Sequence, residues 1–156
     1  MANTYTQIYV QIVFVVQGRL NLIKNEHKDE LHKYTTGIIN KKNQKLISIN
    51  CMPDHVHIFI GIKPNIAISD LARDIKNNSS KFINTQKWIV CKFNWQRGFG
   101  AFSSGHSQID TVVKYIKNQE RHHTHKSFRE EYLEFLERFS VEYNEKYIFD
   151  WVKEVD

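Results

Sequence analysis

The chain has 156 residues and a formal net charge of +5, with 41% hydrophobic and 25% charged residues. This composition is typical of a folded globular domain and excludes a disordered, collagen-like or linker protein. The apolar runs are too short to span a bilayer, no signal peptide is visible, and two isolated cysteines favour a reducing compartment, so we expect a cytoplasmic protein with one domain over residues 1–156.

The charge is unevenly distributed along the chain. Residues 1–126 hold 18 Lys or Arg against 8 Asp or Glu, whereas residues 127–156 hold 4 against 9. A basic body is typical of nucleic-acid-binding proteins. An ordinary solvated surface with uneven charge explains the same counts equally well.

The first half of the chain predicts a strand, a helix and then two strands. Apolar residues alternate with polar ones over residues 5–16, which indicates the first strand. An asparagine cap followed by apolar residues on one helical face predicts a helix that ends near Asn40. Residues 45–52 and 55–62 predict the second and third strands, and Pro53 marks the break between them.

The second half predicts a helix over residues 69–84 and a fourth strand over residues 92–103 with a glycine bulge. A helix over 107–123 (the tyrosine helix), an amphipathic helix over 128–139 and a short docking segment over 144–151 follow. The order β-α-β-β-α-β is the ferredoxin-like arrangement, an α+β fold. We therefore expect an antiparallel sheet with helices on one face and an added C-terminal tyrosine helix.

His55 and His57 in the third strand are the sharpest candidates for chemistry. Because side chains alternate along a strand, both imidazoles point to the same side, opposite Val56 and Ile58. Those apolar residues should face the helix-covered core, which predicts that the histidines lie on the less covered side of the sheet. Two imidazoles spaced in this way can bind one divalent cation, and a pair of surface histidines is the alternative.

Tyr115 and Gln119 lie four residues apart on the tyrosine helix and are therefore neighbours on its surface. They flank its apolar stripe, where the tyrosine hydroxyl can reach a substrate. The neutral oxygen of Gln119 suits a hard cation such as Mg²⁺ or Mn²⁺ as a third ligand. A core-edge tyrosine beside a solvated glutamine is the alternative.

Three segments together resemble the small TnpA-like insertion-sequence transposases, which are single-domain members of the HUH superfamily with one catalytic tyrosine. The segments are residues 52–58 (MPDHVHI), 95–103 (WQRGFGAFS) and 115–119 (YIKNQ). The resemblance extends over nearly the whole chain, and the combination of the three segments in this order is highly specific.

The resemblance implies an activity and the residues that carry it. Members cleave single-stranded DNA and rejoin it, so Tyr115 matches the nucleophile that forms a 5′-phosphotyrosine. His55, His57 and Gln119 match the ligands of a divalent metal, Mg²⁺ or Mn²⁺. The resemblance also implies a nucleoid-associated homodimer in which Tyr115 acts in trans at the partner's histidines, and a DNA substrate with hairpins near the ends of the element.

The predicted fourth strand supports the dimer. It carries Phe93, Trp95, Phe99 and Phe102, which is an unusually apolar load for an edge strand. An exposed edge of this kind invites pairing with another chain.

Six basic residues are candidates for DNA contacts, with aromatic residues between them that could stack on bases. They are Lys76, Lys81, Lys87, Lys92, Arg97 and Arg121. The alternative is that the aromatic residues are core and the lysines keep the surface soluble.

A histidine cluster follows Gln119. His122 lies near the Tyr115 side of the helix and could contact phosphate or transfer a proton. The preferred interpretation of His122, His123 and His125 is a solvated helix end, where histidine suits the C-terminal dipole.

Two other functions remain open at this stage. A domesticated relative would cleave chromosomal repeat hairpins by the same chemistry without moving itself. A non-catalytic DNA-binding module is a different class, and the intact set of His55, His57, Tyr115 and Gln119 argues against it because such a module needs none of the four together.

Overall fold

The computed structural model describes residues 3–123 and 126–149, apart from the side chain of His122. The strands are β1 (Tyr9–Val15), β2 (Lys45–Met52), β3 (His55–Gly61) and β4 (Gly100–Ser104), and the helices are α1 (Lys28–Lys41), α2 (Ile68–Gln86), α3 (Ile109–Lys117), α4 (Gln119–His122) and α5 (Phe128–Arg138). Single 3₁₀ turns lie at Gln17–Arg19, Asn25–His27, His106–Gln108 and Glu145–Tyr147. Within the described residues, no helix is long and apolar enough to cross a membrane.

The four strands form one antiparallel sheet in the order β2-β3-β1-β4. This is the ferredoxin-like order, and it confirms the predicted α+β fold class. In the pairing of the two central strands, Val13 lies opposite His57 and Val15 lies opposite His55. The two histidines therefore lie near the middle of the sheet and not at an edge.

One face of the sheet is covered by α1 and α2, as predicted. Val56, Ile58 and Ile60 of β3 are buried in this core together with Ile12 and Phe14 of β1. Because residues of a strand alternate in direction, their neighbours His55 and His57 must point to the opposite face.

The opposite face is covered as well, and here the sequence-based expectation is wrong. His55 is 1% exposed and His57 is 0% exposed, so they do not lie on an open side of the sheet. The aromatic face of α5, with Phe128 and Phe135, packs there against Val13 and other residues of the second core. An amphipathic helix must bury its apolar stripe, and α5 buries it on this face of the sheet.

The fourth strand is much shorter than predicted. Only Gly100–Ser104 pairs with β1, while Trp95 makes an isolated bridge to Val16. Gly98 has a φ of 74°, a left-handed conformation that interrupts the extended run and favours glycine. Phe93 is 0% exposed, so the apolar load predicted for an open edge lies partly inside the chain's own core.

The second glycine of this segment allows close packing. A Cβ atom at Gly100 would lie 2.8 Å from the Tyr132 hydroxyl oxygen of α5. Glycine at this position therefore lets α5 approach β4 and close over the second face of the sheet.

The tyrosine helix is broken where a continuous helix was predicted. It begins at Ile109 after a 3₁₀ turn, and Asn118, with φ −95° and ψ 18°, separates α3 from α4. The predicted docking segment is a 3₁₀ turn followed by buried Ile148 and Phe149, and its last two residues lie outside the described part of the chain.

Candidate active site

The four predicted site residues meet in one cluster between the sheet and α5, in which Tyr115 is half-buried and the other three side chains are buried. His55 and His57 come from β3, Tyr115 from the last turn of α3, and Gln119 from the start of α4. The Oε1 atom of Gln119 lies 3.4 Å from Nε2 of His55, and the rings of Tyr115 and His57 meet edge to face with centroids 6.0 Å apart. A single chain therefore assembles the whole predicted set.

His55 is oriented by the residue before it. Its Nδ1 atom lies 2.6 Å from Oδ1 of Asp54, and its ring stacks on Phe128 with centroids 3.8 Å apart. Because a carboxylate oxygen accepts in this contact, the Nδ1 atom of His55 carries a proton. In the neutral form of the ring, the lone pair of Nε2 then faces the carbonyl oxygen of Gln119, and two facing acceptors suit a cation between them.

His57 is held between two buried side chains. The amide Nε2 of Gln11 donates to Nδ1 of His57 at 2.7 Å, and Nε2 of His57 donates to Oε1 of Glu131 at 2.9 Å. Burial lowers the pKa of His57, which keeps the ring neutral. Turning the Gln11 amide over would present its oxygen, move the ring proton to Nδ1 and free Nε2 to bind a metal.

Glu131 of α5 is a member of the cluster that the sequence analysis missed. It is 3% exposed, and its ligand atom and those of His55 and His57 all lie within 4.8 Å of one another. The position of Glu131 in the sequence carries a signal that could have identified it. Glu131 lies three residues after Phe128 and four before Phe135, so a carboxylate occupies the apolar stripe of an amphipathic helix.

The charge of Glu131 dominates the electrostatics of the cluster. Burial by itself raises the carboxyl pKa, but hydrogen bonds from His123 and His57 and from the Tyr115 hydroxyl hold the pKa of Glu131 well below its usual range. Burial raises the pKa of the Tyr115 hydroxyl, and the negative charge of Glu131 raises it further. Tyr115 is therefore a neutral phenol beside a buried carboxylate.

His123 also belongs to this network, which makes the predicted solvated helix end wrong for this residue. Its Nε2 atom lies 3.0 Å from Oε1 of Gln119 and 3.4 Å from Oε2 of Glu131. Burial by itself lowers the pKa of His123, but the contact with Glu131 outweighs it and raises the pKa. His125 and the side chain of His122 lie outside the described part of the structure.

The donor set fits a divalent cation. Two imidazole nitrogens, one amide oxygen and one carboxylate converge from His55, His57, Gln119 and Glu131. Carboxylate and amide oxygens suit hard cations such as Mg²⁺ and Mn²⁺, and imidazole nitrogens suit transition-metal cations. The carboxylate adds a negative charge to the trio of neutral ligands that the sequence had indicated.

The sequence model of the family described as "Transposase IS200 like" matches residues 4–119. The chain belongs to the IS200-like transposase family. The match ends at Gln119, so it includes both histidines, Tyr115 and Gln119, while α5 with Glu131 lies beyond it.

Curated transposases are similar over much of their length. The transposase for insertion sequence element IS200 of Salmonella typhimurium is 24% identical over 125 residues, which cover 76% of this chain and 81% of the relative. The ISDra2 transposase TnpA of Deinococcus radiodurans is 27% identical over 75 residues, which cover 48% of this chain and 54% of the relative.

Solved structures share the fold. A Deinococcus radiodurans protein provisionally assigned as a transposase superposes with a TM-score of 0.61 at 18% identity, covering 75% of this chain and 94% of that one. A REP-associated tyrosine transposase bound to a REP hairpin superposes with a TM-score of 0.58 at 14% identity, and the superposition covers 78% of this chain and 72% of that one.

One predicted DNA contact of the transposase has a structural role. Lys76 Nζ donates to the carbonyl oxygens of Gln96 and Gly98 at 2.7 and 2.8 Å, which ties α2 to the glycine-containing loop. Phe93 and Trp95 of that segment point inward, because Phe93 is buried and the indole N–H of Trp95 donates to Ser79 of α2. They are core residues and not an exposed surface for stacking bases.

The other predicted DNA contacts lie in separate places, and their role stays a prediction. Lys81 and Lys92 line one shallow cavity beside α2, and Lys87 ends that helix in a left-handed conformation. Arg97 lines a second cavity near the C-terminal segment. Arg121 lines a cavity of about 440 Å³ that opens beside the nucleophile candidate.

The buried carboxylate predicts a pH dependence of stability. A carboxyl group whose pKa falls on folding stabilises the folded state above its unfolded pKa of about 4.3, and that contribution is lost as the pH falls below it. Between pH 5 and pH 3, the unfolding free energy of the wild type should therefore fall roughly 2 kcal/mol further than that of Glu131→Gln. Urea unfolding without metal measures the free energy of unfolding of the two proteins at each pH. If the two free energies fell in parallel with pH, the assigned charge of Glu131 would be contradicted.

Proposed function

We propose that this transposase cleaves and rejoins single-stranded DNA through a covalent 5′-phosphotyrosine on Tyr115. The observation that carries the proposal is the position of the Tyr115 ring, 6.0 Å from that of His57, in the same buried cluster as the candidate metal ligands. A non-catalytic DNA-binding module has no use for a nucleophile and a metal site in contact.

The covalent step balances without an external energy source. The Tyr115 hydroxyl loses its proton as its oxygen forms a bond to phosphorus, and the bond from phosphorus to the 3′ oxygen breaks. The 3′ oxygen takes up a proton and leaves as a hydroxyl, so no net proton is gained or lost. Attack of a 3′-hydroxyl on the phosphotyrosine reverses the step and rejoins a strand. Because the phosphodiester energy is kept in the tyrosine link, ATP is not needed.

The side chains around Tyr115 position and activate it. The Glu131 carboxylate accepts the hydrogen bond of the Tyr115 hydroxyl and so fixes the direction of the oxygen. Asp54 and Gln11 hold the rings of His55 and His57 in place. A divalent cation held by His55, His57, Gln119 and Glu131 would supply Lewis-acid stabilisation of the negative charge that develops on the phosphate.

The substrate is proposed to be single-stranded DNA with a hairpin. The structural neighbour bound to a REP hairpin supports a DNA partner of this kind. Incubation with single-stranded oligonucleotides from the genomic flanks of the gene, with and without their hairpins, tests this substrate in Mg²⁺. Cleavage at element ends favours a mobile element, whereas cleavage only at chromosomal repeat hairpins favours the domesticated relative.

The geometry bears on how Tyr115 reaches its metal site. The resemblance predicts a homodimer with Tyr115 acting in trans, but the single chain places Tyr115 beside its own histidines. The amide of Asn50 donates to the carbonyl of Ile116 at 2.8 Å, and Lys28 pairs with Glu120 at 3.1 Å, so the tyrosine helix is held on its own sheet. We therefore propose action in cis in this conformation.

A mixing experiment separates the two arrangements. Tyr115→Phe and His57→Asn subunits are each expected to be inactive, and we expect their mixture to stay inactive, because in cis every site lacks one group. In a trans arrangement the mixed dimer has one complete site. Adduct formation that returns on mixing would contradict action in cis and support the predicted trans homodimer.

A further inference from the structure

Two cavities meet at Tyr115. One has a volume of about 440 Å³ and the other of about 340 Å³, and both are lined by Tyr115, Phe135 and Arg138. Both volumes lie in the usual range of ligand sites. A DNA strand with its cleavable phosphate at the Tyr115 hydroxyl would therefore enter one cavity on each side of that phosphate.

The two cavities differ in chemistry. Apart from the shared residues, the larger cavity is lined by charged side chains and one asparagine: Arg121, Lys126, Glu131, Glu134 and Asn118. The smaller cavity is lined, apart from the shared residues, by uncharged hydrogen-bonding and apolar side chains: Gln11, Ser104, Gln108, Thr111, Val112 and Phe139. The larger cavity therefore carries both basic and acidic side chains, whereas the apolar walls of the smaller cavity, with a few amide and hydroxyl groups, suit a nucleobase.

We propose that the smaller cavity binds one unpaired base of the substrate next to the bond that Tyr115 cleaves, and that Gln108 selects this base. The inference rests on the proposed function, because it takes single-stranded DNA as the substrate. It adds a protein-encoded sequence preference at one nucleotide position, read inside the catalytic site.

The side chains of the cavity can read a base. The Oε1 atom of Gln108 accepts a hydrogen bond from the backbone N–H of Gly105 at 3.2 Å, which fixes the carboxamide and leaves its NH₂ group to donate to a base edge. Thr111 follows one helical turn later and adds a hydroxyl. The Phe139 ring, 36% exposed, offers a flat apolar face on which an unpaired base can stack.

Sequencing of cleaved products tests the proposal. Wild-type protein is incubated in Mg²⁺ with single-stranded oligonucleotides that carry a randomised stretch, and the DNA in the covalent adducts is sequenced. We expect a base preference at a position adjacent to the cut. In Gln108→Ala this preference should fall about tenfold at that one position, the scale of losing one base-reading side chain, while preferences elsewhere persist. Gln86→Ala, on the opposite face of the sheet, is the matched control and should keep the wild-type profile.

A binding experiment keeps the inference separate from the cleavage chemistry. A single abasic site is moved along an oligonucleotide, and its affinity for the Tyr115→Phe protein is measured by fluorescence anisotropy. At one position the abasic site should weaken binding clearly more in Tyr115→Phe than in the double variant Tyr115→Phe/Gln108→Ala. If the wild-type protein formed no covalent adduct but the abasic-site pattern were still observed, only the phosphotyrosine proposal would be overturned. An unchanged base preference in Gln108→Ala, or a loss spread evenly over all positions, would overturn the base pocket.

Discussion

Tyr115→Phe is expected to abolish the covalent protein–DNA adduct and to leave binding of single-stranded DNA within about threefold of the wild type. Only the hydroxyl is removed, and the ring keeps its edge contacts with His57 and Phe135, whose centroids lie 6.0 and 5.7 Å away. Glu131 keeps its hydrogen bonds from His57 and His123, so the fold should lose no more than about 1 kcal/mol. A denaturing gel with end-labelled oligonucleotide and Mg²⁺ measures the adduct.

Tyr132→Phe is the matched control for this variant. Tyr132 is also a buried tyrosine, and burial raises its pKa to about 12, but it lies on α5 against Gly100 and outside the metal-ligand cluster. Its removal should leave the adduct intact. An adduct of wild-type intensity in Tyr115→Phe would exclude this residue as the nucleophile.

His57→Ala is expected to remove metal binding and to destabilise the fold, because the imidazole is fully buried. The cavity alone should cost roughly 2 to 4 kcal/mol, and the variant also leaves the buried Glu131 carboxylate and the Gln11 amide without their partner. Calorimetric titration with Mn²⁺ and urea unfolding without metal measure the two effects separately.

Two variants separate the metal-binding role of His57 from its packing role. Adding Glu131→Gln to His57→Ala removes the uncompensated buried charge, so it should recover part of the lost stability but no cleavage. His32→Ala removes another largely buried histidine, whose Nε2 accepts the backbone N–H of Cys51, and should lower stability while Mn²⁺ binding persists. Mn²⁺ binding of wild-type affinity in a folded His57→Ala protein would contradict the metal assignment.

The core of the ferredoxin-like fold was predictable because its signals are local. The alternation around Val56 and Ile58 assigned the core face of β3, and the structure buries both under α1 and α2. The extent of β4 was not predictable from alternation, since Trp95 continues the pattern while Gly98 adopts a positive φ that ends it. The break at Asn118 was equally hidden, because no proline or glycine marks it.

The site was predictable where its residues lie close together in the sequence, and it was missed where the tertiary structure adds a residue from a distant segment. Strand spacing placed His55 and His57 on one side of β3, and the four-residue separation placed Tyr115 near Gln119. The resemblance to the transposases then implied their roles. Glu131 lies on α5, and the sequence does not specify which face of the sheet this helix packs against. A charged side chain is usually exposed to solvent, so a buried position was not expected. A carboxylate at an apolar position of an amphipathic helix is the signal that could have identified it.

The covering of the histidine face also required the tertiary structure. From β3 alone the histidines belong to a polar side of the sheet, where solvent exposure is expected. The aromatic stripe of α5 turns that side into a second core, and Phe128 stacks directly on His55. A half-polar sheet face and an aromatic helix therefore combine into a buried cluster of candidate site residues that neither segment predicts by itself.

The most direct test of the account is the chemical identity of the protein–DNA link. Wild-type protein is incubated with single-stranded substrate in Mg²⁺ or in EDTA, digested with nuclease and trypsin, and analysed by mass spectrometry. We expect a nucleotide linked through its 5′ phosphate to Tyr115, on the tryptic peptide of residues 115–117, in Mg²⁺ and not in EDTA. A link to any other residue, a link through a 3′ phosphate, or an equal yield of the adduct in EDTA would contradict metal-dependent formation of a 5′-phosphotyrosine on Tyr115.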